Sequence, residues 1–182
     1  SRIMKILLAL LLSLLALPAL ASDWDALRQP GAVAIMRHAL APGTGDPAGF
    51  EIGDCATQRN LDGRGEAQAR AIGASLAAAG VTFEQVLTSQ WCRCRDTARL
   101  LGLGEPVEAP ALNSFFADRS TRDEQTRTTL DLIRSATGPV MMVTHQVNIT
   151  ALTGQSVSSG EVFILRATAE GVEILARVRI AP

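Results

Sequence analysis

The fold is decided by the stretch Ala32-Val33-Ala34-Ile35-Met36-Arg37-His38. Its apolar part follows the turn pair Pro30-Gly31 and predicts a short buried strand, which ends at a basic residue and a histidine. A second apolar run, Val140-Met141-Met142-Val143-Thr144, ends in the same way at His145. These are the two histidines of the chain, and each follows a predicted strand of the same type.

Helical and extended patterns alternate through the rest of the chain. Helices are predicted over 63–79, 91–101 and 123–135, with a short one after His145. Further strands are predicted over 83–88, 106–110, 161–166 and 172–180, the last two forming a hairpin. This order predicts a three-layer α/β/α sandwich whose central sheet is mostly parallel, with an antiparallel edge.

Polar side chains follow three of the predicted strands. Arg37 and His38 follow the first, Ser89 follows the second, and His145 follows the strand over 140–144. Ser89 is also the predicted N-cap of the helix over 91–101. In sheets of this kind, ligands bind outside the carboxyl ends of the strands, so we expect a functional site there.

The residue types at this edge suit phosphoryl transfer. A neutral imidazole can attack phosphorus and carry the phosphoryl group as a covalent intermediate. Guanidinium groups match phosphate oxygens and stabilise the charge that spreads over them during transfer. Arg37, His38, Arg93 and His145 supply this set, and a protonated His145 would add one more donor.

Four segments resemble the histidine phosphatase superfamily, the phosphoglycerate mutase-like proteins. They follow that family's order and cover nearly all of the chain beyond residue 21, although Ala39 replaces the glycine of the family's Arg-His-Gly signature. The segments are Met36-Arg37-His38-Ala39, 61–69, 89–98 and Val143-Thr144-His145.

The resemblance implies a phosphoglycerate mutase-like fold and catalytic roles for the matching residues. His38 would be phosphorylated during turnover, Arg37 and Arg93 would bind phosphate oxygens, and His145 would complete the pocket. Arg95 is the rival of Arg93, but the register of the motif favours Arg93 and leaves Arg95 for a surface pair. No metal and no cofactor is expected.

The chain departs from the family at the group that protonates the leaving oxygen. The family's glutamate-containing segment is not matched, and residues 112–116 stand in its place. Asp118 is the candidate replacement, and the alternative is a solvated carboxylate or a partner for Arg119 or Arg122. Glu161 is a weaker candidate, since it opens a predicted strand.

Three more residues are candidates for contacts with the substrate. Arg59 and Asn60 end an aperiodic loop over 39–60, and Gln146 follows His145. Loops of this length are usually functional. The alternative for these three side chains is capping and hydrogen bonding within their own segments.

Residues 1–21 predict a secretory signal peptide. Arg2 and Lys5 precede a short apolar run, and Ala19-Leu20-Ala21 has the small residues of a cleavage site. The alternative is a transmembrane anchor, but the run is shorter than the ~20 residues that a span needs. We therefore expect a periplasmic or secreted protein with no stable membrane anchor after cleavage.

The remaining residues, 22–182, are expected to form a histidine phosphatase-like domain. Loss of Arg2 and Lys5 lowers the 17 basic residues to 15, against 18 acidic residues. This balance argues against a nucleic-acid partner.

The three cysteines favour a disulfide, because an exported chain meets an oxidising compartment. We expect Cys55 to pair with Cys92 or Cys94, and three reduced buried thiols are the alternative. No CxxC or HxxxH spacing is present, so a metal cluster is not expected.

The leading hypothesis is an exported phosphatase that hydrolyses phosphomonoesters through a phosphohistidine on His38. Its partners would be inorganic phosphate and a small phosphorylated substrate, such as a phosphosugar or a cell-envelope component. The alternatives are a phosphate-binding protein that keeps the Arg/His clamp without turnover, and a metal or redox module built on Cys92, Cys94 and the histidines.

Overall fold

A computed structural model describes residues 22–182, so the predicted signal peptide over 1–21 lies outside the described residues. The strands are β1 (Val33–Arg37), β2 (Gln85–Thr88), β3 (Pro106–Glu108), β4 (Val140–Thr144), β5 (Val162–Ala167) and β6 (Val172–Val178). The α-helices are α1 (Gly63–Ala78), α2 (Cys92–Leu101), α3 (Arg122–Ser135) and α4 (Gln146–Thr153). Short 3-10 turns lie in the connections between them. No helix within residues 22–182 combines the length and the apolar character that crossing a membrane requires.

The strands form one sheet in the order β3-β2-β4-β1-β5-β6. The first four of these run parallel to one another, and β5 pairs antiparallel with both β1 and β6. The predicted α/β/α fold with an antiparallel edge is therefore confirmed.

Both faces of the sheet are covered, which explains why β1 and β4 are apolar up to their last residue instead of alternating. On one face, Ala34 and Met36 pack in a cluster with Ile72 of α1 and Ala98 of α2. On the other face, Val33 and Ile35 pack with residues of α3 and α4. Strand β1 therefore has no solvated face. Its first polar side chains are those of Arg37, at its last residue, and His38, which follows it.

Helix α1 lies unusually close to the chain that follows β1. A Cβ atom added to Gly65 would stand 1.9 Å from the carbonyl oxygen of Leu40, and one added to Gly73 would stand 1.9 Å from that of Leu101. Only glycine allows this contact. The two glycines thus hold α1 against the segment just beyond His38 and against the end of α2.

The predicted N-cap of α2 is wrong. Trp91 occupies the N-cap position, without a side-chain cap. Ser89 lies two residues earlier, where its hydroxyl accepts from the Trp91 N–H at 3.3 Å and lies 2.8 Å from Nε2 of His145.

Candidate active site

The parallel strands bring both histidines to one edge of the sheet. The backbone N–H of His38 donates to the Thr144 carbonyl at 2.9 Å, and the N–H of Ser89 donates to the Val143 carbonyl at 2.9 Å. These bonds fix the strand ends relative to each other. The rings of His38 and His145 meet edge to face, with their centroids 5.5 Å apart.

The ring of His38 is buried and held in one orientation. Its Nδ1 lies 2.8 Å from the carbonyl oxygen of Ala39, which can only accept, so in the neutral ring Nδ1 carries the proton. Nε2 then carries an unprotonated lone pair, to which Arg93 Nε donates at 3.2 Å. Burial and the charge of Arg93 hold the pKa of His38 well below its ordinary value. At neutral pH this ring is uncharged.

Three guanidinium groups surround His38. Arg93 is buried on α2 and points its Nε at the ring. Arg37 donates from NH1 to the Val157 carbonyl, and its buried Nε has no hydrogen-bond partner among the described residues. Arg59 donates to the carbonyls of Gly45 and Ala41, so it braces the loop over 39–60. A buried donor without a partner is costly, and an oxygen-rich anion would satisfy it.

Asp46 is the functional candidate that the sequence reasoning missed. Its carboxylate accepts from NH1 and NH2 of Arg93 at 2.6 and 3.1 Å, and from Trp91 Nε1 at 3.0 Å. Burial alone would raise the pKa of Asp46, but the hydrogen bonds from Arg93 and Trp91 bring that pKa below its ordinary value. Asp46 lies in the loop over 39–60, for which the sequence predicted a function. The sequence did not single out Asp46 itself, because an aspartate among glycines and prolines is also typical of an ordinary turn.

His145 is buried beside His38 with different neighbours. Its Nε2 lies 2.8 Å from Ser89 Oγ and 3.4 Å from Cys94 Sγ, and the Ser89 hydroxyl in turn lies 3.3 Å from Asn113 Oδ1. Burial, together with the neighbouring His38, holds the pKa of His145 well below its ordinary value. The ring is therefore neutral here, and a bound anion is needed before it becomes the charged donor that we expected.

A cavity of about 560 Å³ opens from these side chains. One part is the polar group around His38, and another is an aromatic wall in which Phe50 stacks on Trp91 with ring centroids 4.9 Å apart. Polar residues of the cavity outside the His38 group include Arg119, Arg122 and Gln146.

Two predicted site residues lie elsewhere. Asp118 is exposed and does not line the cavity, and its carboxylate accepts the Ser120 N–H as the cap of a 3-10 turn. This position does not support a role at His38. Asn60 donates to the carbonyls of Cys55 and Gln58, so its amide serves the loop.

Two other residues considered from the sequence form ion pairs away from the histidines. Arg95 Nε lies 3.3 Å from Glu108 at the exposed surface. Glu161, the weaker candidate acid, accepts from Arg177 Nε at 2.9 Å and does not line the cavity.

Of the two disulfide pairings left open, the structure has Cys55–Cys92. The bond ties the loop over 39–60 to the first residue of α2, next to Arg93. Cys94 is a buried free thiol, and burial raises its pKa to about 12, so it stays protonated. With Cys92 in the disulfide, the thiol pair that a metal or redox module would use is not present.

The fold and this cluster define an α/β/α protein with a buried histidine among arginines at the edge of its sheet. A sequence model of the histidine phosphatase superfamily (branch 1) matches residues 34–115, which include His38 and Arg93. This match confirms the predicted resemblance to the histidine phosphatase superfamily, whose members are phosphatases and mutases.

Solved structures share the fold at low sequence identity. The protein histidine phosphatase SixA complexed with tungstate is 17% identical, with a TM-score of 0.56, and the match covers 80% of this chain and 95% of that one. A phosphoglycerate mutase from Thermus thermophilus is 16% identical, with a TM-score of 0.58, and the match covers 82% of this chain and 99% of that one. No curated protein matches the sequence.

Proposed function

We propose that this protein is an exported phosphatase that hydrolyses phosphomonoesters through a phosphohistidine on His38. One observation carries the proposal: a neutral, oriented imidazole lines the cavity, and its Nε2 lone pair accepts from Arg93, with Arg37 and Arg59 also lining the cavity. This combines a nucleophile with the charge stabilisation that phosphoryl transfer requires.

In the first step, His38 Nε2 attacks phosphorus and the bond from phosphorus to the ester oxygen breaks. The hydrogen bond from Nδ1 to the Ala39 carbonyl stabilises the positive charge that develops on the ring. Arg37, Arg59 and Arg93 bind the phosphoryl oxygens, and His145 donates to one of them. The leaving oxygen takes a proton from an acid in the cavity.

Asp46 is the best-placed acid, because it is the one carboxylate that lines the cavity within residues 22–182. Its bidentate pair with Arg93 keeps it ionised in this structure. A phosphate dianion that competes for Arg93 would weaken this pair and place negative charge nearby, and both effects raise the pKa of Asp46. Substrate binding would therefore convert Asp46 into a proton donor.

In the second step, water attacks the phosphohistidine and gives its proton to the Asp46 carboxylate. The bond from phosphorus to Nε2 breaks, inorganic phosphate leaves and His38 returns to its neutral form. The acid of the first step thus becomes the base of the second.

The alternative is a phosphate-binding protein without turnover. The pair between Asp46 and Arg93 is the observation that favours this alternative. If Asp46 stayed bound to Arg93, it would compete with phosphate for that guanidinium group and would not protonate a leaving group.

Hydrolysis of p-nitrophenyl phosphate by wild type and His38→Ala separates the two functions. The phosphatase proposal expects turnover in the wild type and a loss of at least about a thousandfold in His38→Ala, since covalent catalysis is removed. Phosphate binding by a wild type that does not turn over would support the alternative. Thermal melting of both proteins checks that the variant is folded.

Export and substrate class are part of the proposal. The pattern over 1–21 supports secretion, and the Cys55–Cys92 disulfide fits an oxidising compartment. The substrate is a small phosphorylated molecule, such as a phosphosugar or a cell-envelope component, and inorganic phosphate is the product. Fractionation of expressing cells tests the location: retention of the full-length chain in the cytoplasm would contradict it.

A further inference from the structure

Two peptide groups that bond to His38 are both held by one side chain outside the cavity, that of Gln68 on α1. We propose that Gln68 is a positioning residue for His38, which keeps the proton of the neutral ring on Nδ1 and leaves Nε2 unprotonated for attack on phosphorus. The inference rests on the proposed phosphatase function and adds a residue on which its first step depends. Because Gln68 does not line the cavity, it acts through His38 and not by contact with the substrate.

The first of these is the peptide group between Ala39 and Leu40. Its carbonyl oxygen, on Ala39, lies 2.8 Å from His38 Nδ1, and its N–H, on Leu40, donates to Gln68 Oε1 at 2.9 Å. Because a peptide group is planar and rigid, it cannot turn without breaking one of these two bonds. The bond at the N–H also polarises the carbonyl and strengthens the hydrogen bond that the carbonyl accepts from the ring.

The second is the peptide group between Ser159 and Gly160. Its carbonyl oxygen, on Ser159, accepts from Gln68 Nε2 at 2.9 Å, and its N–H, on Gly160, donates to the His38 carbonyl at 3.0 Å. A Cβ atom added to Gly160 would stand 2.5 Å from Gln68 Nε2, so a side chain there would displace the amide. Gln68 thus holds the backbone of His38 as well as the partner of its ring.

The hydrogen bonds of Gln68 fix the orientation of its amide. Nε2 also donates to the Ile180 carbonyl at 2.8 Å, and the two carbonyls can only accept, so the NH2 group must face them. Oε1 then faces the N–H of Leu40. The side chain is 2% exposed, so loss of the amide would leave buried polar groups unpaired, which is costly. The network therefore favours one geometry around His38.

The position of the ring proton decides whether His38 can react. In a neutral imidazole one nitrogen donates and the other accepts, and the hydrogen bond of one nitrogen sets the state of the other. If the Ala39 carbonyl turned away from Nδ1, the proton would be free to move to Nε2, and Nε2 would then have no lone pair for phosphorus. Gln68 therefore contributes to the chemical step and not to the binding of phosphate.

Nitrogen NMR of the imidazole rings tests this role directly, because the chain has two histidines. Tag-free protein labelled with ¹⁵N in histidine is recorded at neutral pH, where long-range ¹H–¹⁵N correlations show which ring nitrogen is protonated. The signals of His38 are those that disappear in His38→Ala. We expect the proton on Nδ1 in the wild type. In Gln68→Met, which fills a similar volume without the amide, the two nitrogen shifts of His38 should move towards each other as the Nε2–H form becomes populated.

Kinetics of the same variant separate positioning from binding. Gln68→Met should lower kcat for p-nitrophenyl phosphate by about ten- to a hundredfold, because a displaced or wrongly protonated nucleophile slows the chemical step. KM should stay within about twofold of the wild-type value, since the arginines that bind phosphate are unchanged.

Gln125→Met is the matched control. Gln125 also donates from a helix to backbone carbonyls, those of Ala111 and Asn113, and neither of these carbonyls belongs to a peptide group that bonds to His38. The variant should lower the free energy of unfolding and keep the proton of His38 on Nδ1. An equal change of tautomer in this control would overturn the proposal, because general loosening of the fold would then explain the change.

Other outcomes would also overturn the role of Gln68. One is a wild type whose His38 carries its proton on Nε2, and another is Gln68→Met with the wild-type tautomer, even if its kcat falls. If Gln68→Met does not fold, Gln68→Ala replaces it, because water can enter the space and pair the carbonyls that lose the amide. The nitrogen shifts should then change in the same direction, and unchanged shifts would overturn the proposal.

The proposed function can fail separately, because the NMR measurement needs no turnover. A wild type that has its proton on Nδ1 but does not hydrolyse p-nitrophenyl phosphate contradicts the phosphatase proposal. The tautomer in Gln68→Met then decides the role of Gln68 without the kinetic comparison.

Discussion

His38 and His145 follow equivalent strands, but their surroundings assign them different roles. The Nδ1 of His38 is tied to the Ala39 carbonyl, and its Nε2 accepts a hydrogen bond from Arg93 Nε, which a bound phosphate would draw away. The Nε2 of His145 contacts Ser89 Oγ and Cys94 Sγ, which are structural side chains and not members of the arginine cluster. The sequence alone could not distinguish them, because these partners come from the fold and not from the strand motif.

Asp46→Asn tests the proposed acid. We expect kcat/KM to fall by about a hundredfold or more for an alkyl phosphate such as glycerol phosphate, because an alkoxide needs a proton to leave. The loss for p-nitrophenyl phosphate should be much smaller, since nitrophenolate leaves without one. The ratio of the two rates is the measurement.

Asp118→Asn is the matched control for that ratio, since it makes the same change at an exposed carboxylate outside the cavity. It should leave both rates unchanged. A selective loss for the alkyl phosphate in Asp118→Asn, and none in Asp46→Asn, would restore Asp118 as the acid.

The buried histidines make stability depend on pH. Because both have a lowered pKa, the unfolded chain takes up protons below about pH 6.5 while the native chain does not. The free energy of unfolding should therefore fall by about 1 kcal/mol per histidine and pH unit as pH drops from 6.5 towards 5. Urea unfolding at several pH values measures this slope, and it should be shallower in His38→Asn. A slope that is flat, or equal in the two proteins, would contradict the neutral state of His38.

At the scale of elements, the loop over 39–60 is the part that the sequence predicted least well. Its length indicated a function, and Arg59 was one of the candidate residues within it. The loop has no hydrophobic periodicity, so the sequence does not indicate which of its side chains point into the protein. The structure fixes the loop by several long-range ties, which include the Cys55–Cys92 disulfide, the Asp46–Arg93 pair and the bond from Trp91 Nε1 to Asp46.

Removal of the disulfide tests what that tie contributes. The double variant Cys55→Ala/Cys92→Ala frees residues that are 37 apart in the chain, and the entropy of closing such a loop corresponds to about 3–4 kcal/mol. We expect a loss of this order in urea unfolding. KM should also rise, because Asp46 and Arg59 lie on the loop.

Reductant provides the control for that experiment. It should destabilise the wild type to a similar extent and leave the double variant unchanged. A wild type whose unfolding midpoint does not respond to reductant would show that the disulfide contributes little.

At the scale of the whole molecule, the sequence predicted the architecture well. Continuous apolar runs require a strand covered on both faces, and strands alternating with helices leave few topologies. The cavity could not be predicted in this way. Its walls combine the loop over 39–60, the segment over 114–122 and the start of α4, and their meeting depends on packing that leaves no local pattern.

The charge of the molecule is also uneven in a way that composition hides. The chain has a formal net charge of −1, yet the cavity is lined by five arginines. An anionic substrate would therefore be drawn to one place on a protein that is nearly neutral as a whole.

The most direct test of the central claim is trapping of the covalent intermediate. Wild-type protein is mixed with an aryl phosphate labelled with ³²P, unfolded in alkali within milliseconds, and digested for peptide mapping. We predict label on the peptide that contains His38, stable in alkali and released by acid as expected of a phosphohistidine, and no label in His38→Ala. Turnover without label on that peptide, or label that persists in His38→Ala, would contradict the assignment of His38 as the nucleophile.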